Sequence, residues 1–131
     1  MRKSGEQKRL ELLSCDVLAH LHKKDSYAEI NLISSLEMKK LNLDHLGQDK
    51  TTNVLSFSFP SWFPRVNSGL PRLLGEVYLD PVFIKKRGEN IDYLLIHGLL
   101  HLLVLYHESY DDRVKMERME KRILKWLKIG Y

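Results

Sequence analysis

Three histidines, His97, His101 and His107, lie within IHGLLHLLVLYH, the most hydrophobic stretch of the chain. His97 and His101 are four residues apart, which on a helix stacks both imidazoles on one face, within reach of a single ion. His107 follows six residues later, far enough for the chain to leave the helix and return a third ring to the same point. Three neutral imidazoles with a fourth position open form the ligand set of a catalytic zinc. Nickel or another divalent ion also suits such donors. The chemistry expected there is hydrolytic, with a metal-activated water as nucleophile and no side chain assigned as general base. Zinc proteases of the HExxH type carry a glutamate beside the first histidine, and here that position is Gly98, so peptidase activity is the weakest reading. Gly98 is read instead as a point where the sheet or a helix approaches closely.

From Tyr93 to Tyr106 only His97, Gly98 and His101 are not plainly apolar, so this helix is expected to be hydrophobic on every side and buried. Imidazoles in such a place need partners. His20, His22 and His45 lack neighbours of this kind and are read as surface or helix-end residues. Glu108, beside the third histidine, is read as an exposed carboxylate at a helix entry.

The elements that must position these rings follow from periodicity. Leu10, Leu13, Val17 and Leu21 recur at helical spacing, with Cys15 read as a small packing residue within that helix. Ala28, Ile30 and Leu32 alternate with polar residues as in a half-buried strand. Ser34 and Glu37 make a capping box for a helix through about Leu43. Leu55, Phe57 and Phe59 mark a second strand stopped by Pro60, and residues 73–80 a third. The segment 61–72 between them, with Trp62 and Phe63, is expected to be a loop or wide hairpin connection. Asp80 and Pro81 suit the N-cap and first position of a brief helix ending at Gly88, and Asn90 can cap the histidine helix. Asp111 and Asp112 open a last helix with an apolar stripe of Met116, Met119, Ile123 and Trp126. Its other face, Lys115, Arg118, Lys121, Arg122, Lys125 and Lys128, is read as solvated by default, with an RNA-facing role as the lesser reading. The expected fold is α/β in layers: one domain over residues 1–131, a small mixed sheet packed on helices, the histidine helix in its core.

Composition narrows the function classes. The chain has 131 residues, 44 % hydrophobic and 29 % charged, as in a soluble globular protein. Its single cysteine excludes an internal disulfide and a cysteine-rich zinc site, and suits a reducing, cytoplasmic setting. The N-terminal residues lack the apolar core of a signal peptide, and the run from 93 to 106 is too short to span a bilayer, so no membrane partner is expected. A net charge of +4 is compatible with an anionic partner without requiring one.

TTNVLSFSFP, LLGEVYLD and IHGLLHLLVLYH, in this order, resemble the YbeY family of bacterial metal-dependent endoribonucleases and rRNA-maturation factors, over roughly residues 30–127. His97, Gly98, Leu100, His101, Leu102 and His107 match the family's HGxLHLxGYDH motif. Leu41, Asn42, Asp49, Thr52, Asn53, Val54, Leu55, Ser56 and Phe57 match its LN and KDxPTxVLSF patterns, Gly75 and Glu76 its GD/E position, and Met116, Glu120, Ile123 and Leu124 its final helix. The resemblance implies an α/β fold, zinc or a similar metal on the three histidines, and action on ribosomal RNA at the 3′ end of the small-subunit RNA. Ribosomal RNA, together with ribosomal proteins, is then the expected partner, and no DNA specificity is expected. Asn53 and Glu76 become candidate substrate-contacting residues. The chain departs from the family in three places: Leu46 stands where an arginine is thought to meet phosphate, Val104, Leu105 and Tyr106 replace GYD, and no N-terminal strand precedes the first helix. An uncharged side chain cannot make a bidentate phosphate contact, and that loss favours the rival reading, a non-catalytic ribosome-assembly module with a structural metal.

Overall fold

The computed structural model describes residues 4–59, 71–103 and 110–127. Helix α1, Gly5–His20, begins where the Ser4 side chain accepts the Gln7 N–H, before the apolar periodicity sets in. Its buried positions are Leu10, Ser14, Val17 and Leu18, spaced four, three and one apart. Cys15 falls off that face and is exposed, which corrects its reading as a packing residue. Helical spacing puts Ser14, one residue earlier, in the core instead.

Strand β1, Ser26–Leu32, leads into α2, Ser35–Leu46, whose capping box between Ser34 and Glu37 forms as expected. The helix runs one turn beyond Leu43 and ends on Gly47. Strands β2, Val54–Ser58, and β3, Arg72–Leu79, complete a mixed sheet in the order β1-β3-β2, with β1 parallel and β2 antiparallel to β3. Residues 60–70, including Trp62 and Phe63, lie outside the described residues. Helix α3, Pro81–Lys86, starts as anticipated from the Asp80 cap, with proline in its first turn.

Alternation along the strands gives the sheet two faces. Val54, Ser56, Gly75, Val77 and Leu79 face the histidine helix α4, Ile91–Leu103, while Phe57 on the other face meets His45 of α2 at 4.7 Å between ring centroids. α1 lies on the α4 side, where Leu10 and Val17 join Ile30, Val77, Leu95 and Leu99 in one apolar cluster. The layered mixed-sheet architecture expected from the sequence is therefore the observed one. None of the described helices is long and apolar enough to cross a membrane.

The last helix, α5, Tyr110–Leu127, closes that side of the core with Met116 and Ile123, and Met119 packs at its margin. Trp126 does not continue the stripe. It is 47 % exposed and stacks on His20 at the end of α1, ring centroids 4.1 Å apart. The basic residues Lys115, Arg118, Lys121, Arg122 and Lys125 are exposed as expected, and Lys128 lies outside the described residues.

Candidate active site

The α4 helix starts from Asn90, whose side-chain oxygen accepts the Tyr93 N–H at 3.1 Å. Seven of its residues, Leu94, Leu95, Ile96, Gly98, Leu99, Leu100 and Leu102, are buried. The helix is held hard against β2 and β3 because Gly98 has no side chain: a Cβ there would sit 3.0 Å from both Ser56 Oγ and Val77 Cγ1. Ser56 uses this closeness, its hydroxyl donating to the Gly98 carbonyl at 3.1 Å. Gly75 serves the same packing on β3, where a Cβ would meet the Phe57 carbonyl oxygen and Leu102.

That docking turns His97 and His101 out of the core and toward a cavity of about 350 Å³, lined also by Asn53, Val54, Leu55, Ser56, Tyr93 and Leu94. Both rings are half-buried, not fully enclosed as the apolar sequence around them suggests. The Nε2 atoms of the two imidazoles converge to 2.8 Å. His97 Nδ1 meets Glu120 Oε1 of α5 at 2.7 Å, and the Tyr93 hydroxyl donates to Glu120 Oε2 at 2.8 Å. Burial pushes the Glu120 carboxyl up, but the hydrogen bonds from His97 and Tyr93 and the nearness of both imidazoles outweigh it and hold it below the usual carboxylate range. An ionised carboxylate only accepts, so Nδ1 of His97 is the protonated nitrogen. The lone pair of a neutral His97 is then on Nε2, aimed at His101 and the cavity.

Two nitrogens at this separation share either a proton or a cation. Tetrahedral zinc with 2.0–2.1 Å bonds holds its nitrogens about 3.4 Å apart, so the rings need to part by only about half an ångström to take one. The donors thus fit a divalent ion. Among the described residues no third histidine, cysteine or carboxylate completes a ligand group with them. His107, with Val104, Leu105, Tyr106 and Glu108, lies outside the described residues.

Of the two candidate substrate-contacting residues, one is at the cavity and one is not. Asn53 lines it, with Oδ1 accepting the Val54 N–H at 2.7 Å and Nδ2 near Glu89 Oε1 at 3.3 Å, so its carboxamide orientation is set from both ends. Glu76 alternates onto the opposite face of β3, where it is paired across the sheet with Glu29 and Phe57 and accepts from the Tyr78 hydroxyl. Burial and the Glu76 carboxylate push that phenol up to about 12. Leu46, where the family pattern has arginine, is the last residue of α2 and 58 % exposed. Glu120 is the residue whose role sequence reasoning missed. The signal was present: a carboxylate at 120 interrupts the 116, 119 and 123 apolar spacing of α5, and a buried charge needs a partner.

The family model described as Endoribonuclease YbeY matches residues 3–128. An Endoribonuclease YbeY of Alkalilimnicola ehrlichii is 33 % identical over 125 residues, covering 90 % of this chain and 75 % of that protein. One of Francisella tularensis is 31 % identical over 134 residues, covering 91 % and 80 %. The solution structure of TM1509 from Thermotoga maritima superimposes with a TM-score of 0.54 at 22 % identity, over 97 % of this chain and 88 % of that one, and so shares the fold. A match running through nearly every element described above, the histidine helix included, makes the chain a member of the endoribonuclease YbeY family.

Proposed function

We propose that the protein is an endoribonuclease that acts in ribosomal RNA maturation in the cytoplasm, hydrolysing a phosphodiester at the cavity beside α4. Family membership supports the endoribonuclease class. The observation that carries the mechanism is the convergence of His97 and His101 Nε2 at the wall of an open cavity, with Glu120 behind His97. His97, His101 and His107 are the residues proposed to hold a divalent ion, zinc or a close substitute such as nickel. Bound there, the ion would supply Lewis acidity toward water and a phosphoryl oxygen.

The chain's own groups do the rest. Glu120 keeps the proton of His97 on Nδ1 and so keeps Nε2 available, and Tyr93 holds the carboxylate in place. Val54, Leu55 and Leu94 give the cavity apolar walls that strengthen electrostatic interactions with a bound phosphate. Asn53 lines the cavity with its carboxamide held by the Val54 N–H and by Glu89. Small-subunit ribosomal RNA is the proposed substrate, reached through the family resemblance.

A second reading, an RNA- or ribosomal-protein-binding assembly factor with a structural metal, is favoured by the exposed Leu46 in place of arginine. Single-turnover cleavage of structured and single-stranded RNA, with metal content measured on the same preparation, separates the two. Cleavage by the wild type that disappears in His101→Ala supports the enzyme. Metal bound without cleavage supports the assembly factor, and cleavage surviving His101→Ala removes the proposed mechanism.

A further inference from the structure

Next to the histidine cavity is a second one, of about 430 Å³, lined by Lys50, Thr51, Thr52, Asn53, Phe83 and Arg87. Asn53 lines both, so the two cavities share a residue. We infer that this second cavity is a phosphate-binding subsite for single-stranded RNA, with Lys50 and Arg87 holding the phosphate next to the one that is cleaved. The inference rests on the reading of the histidine cavity as a site of RNA cleavage.

The two cations come from separate elements, Lys50 from the segment between α2 and β2 and Arg87 from the C-cap of α3. No carboxylate is among the lining residues. Arg87 is held rather than loose. Its guanidinium carbon lies 5.4 Å from the Phe83 ring centroid, and its Nε is 3.4 Å from Glu89 Oε1. That contact is an ion pair through Nε, and among the described residues the terminal N–H groups meet no other carboxylate, in the fork geometry that suits phosphate. Glu89 Oε1 also receives Asn53 Nδ2 at 3.3 Å, so one carboxylate ties Arg87 to the residue shared with the histidine cavity. Thr51 donates its hydroxyl to Asp80 at 2.7 Å, which fixes the segment carrying Lys50 beside the α3 cap. A pinned guanidinium, a lysine and an aromatic ring in one groove are the parts from which sequence-tolerant single-strand binding is built. The subsite also accounts for how a chain with Leu46 holds its substrate: the cationic grip comes from the α3 side.

The test is binding of a fluorescein-labelled single-stranded oligoribonucleotide, by anisotropy across a salt series, together with steady-state cleavage. The proteins compared are the wild type, Lys50→Ala/Arg87→Ala, Arg87→Glu, and Lys121→Ala/Lys125→Ala on the exposed face of α5. The double substitution at 50 and 87 is expected to raise Kd about tenfold and to lower the slope of log K against log salt by about 0.7, the loss of one phosphate contact on a single strand. KM should rise with kcat nearly unchanged, because the lost contact is made equally before and during the reaction. Arg87→Glu should weaken binding further, and both α5 changes should leave affinity and salt slope as in the wild type. Equal Kd and salt slope for wild type and Lys50→Ala/Arg87→Ala, with wild-type cleavage intact, overturn the subsite alone. Loss of affinity confined to the α5 variant moves the RNA to that face and also overturns it. A wild type that neither binds nor cleaves the RNA instead overturns the functional reading, and the subsite with it.

Discussion

The Glu120 carboxylate sits 7 % exposed on the core side of a helix whose neighbours at 116 and 123 are apolar, and it is tolerated because two donors, His97 Nδ1–H and the Tyr93 hydroxyl, satisfy its oxygens. Replacing it by glutamine keeps the shape but removes the charge that makes His97 a better donor. Glu120→Gln is expected to weaken divalent-ion affinity by about 10–100-fold, read by competition with a chromophoric chelator. Unchanged affinity would mean that the carboxylate serves packing alone. Gly98, next to His97, acts by lacking a side chain. Gly98→Ala places a methyl 3.0 Å from Ser56 Oγ and Val77 Cγ1, both in the packed interface. A loss of about 1–3 kcal/mol in urea unfolding is expected, with the Ser56 bond to the Gly98 carbonyl broken or stretched.

At the scale of elements, the α3 cap ties the sheet to the loops around the site. Asp80 is fully buried, accepting the Phe83 N–H at 3.1 Å and the Thr51 hydroxyl at 2.7 Å. Burial pushes its carboxyl up, but hydrogen bonds from Ser35, Phe83, Thr51 and Val82 outweigh that and hold it below the ordinary aspartate value. A group whose folded pKa is depressed contributes stability that is complete above its unfolded value, about 3.9, and is lost as pH falls through the folded one. Melts from pH 6 down to pH 2.5 should therefore show the wild type losing stability below about pH 4. Asp80→Asn should be less stable by about 1–2 kcal/mol at neutral pH, because an amide nitrogen cannot accept where the second oxygen did. Its acid dependence should be shallower, and parallel acid limbs for the two proteins would exclude Asp80 as a source of that dependence.

For the molecule as a whole, metal and fold are expected to be coupled. A ligand that binds only the folded state stabilises it by about 2.7 kcal/mol at a hundredfold excess over Kd. Because His97 and His101 stand on α4, whose leucines lie in the apolar cluster, chelation of the native protein should lower its melting temperature. His101→Ala should melt at one temperature with and without chelator. A wild-type melting temperature indifferent to chelator would separate the site from the stability of the core.

Elements whose signals are local are legible in the chain before it folds. Capping by Ser34 with Glu37, by Asp80 with Pro81 and by Asn90 involves residues within one turn, so the starts of α2, α3 and α4 were legible. The pairing of His97 with His101 was legible for the same reason, since helical geometry alone brings i and i+4 together. Gly98 was legible as a close approach, though not what approached it. That Asn53 shares the histidine cavity while Glu76 faces away depends on packing, because strand alternation shows which residues share a face but not which face meets α4. Packing also decided that Ser14 and not Cys15 enters the core, and that Trp126 leaves the α5 stripe to stack on His20. The contact between His97 and Glu120 spans 23 residues and two helices. Periodicity marked Glu120 as a charge on an apolar face, but its partner is set by how α5 packs on α4, and that packing is the outcome of the whole core condensing at once.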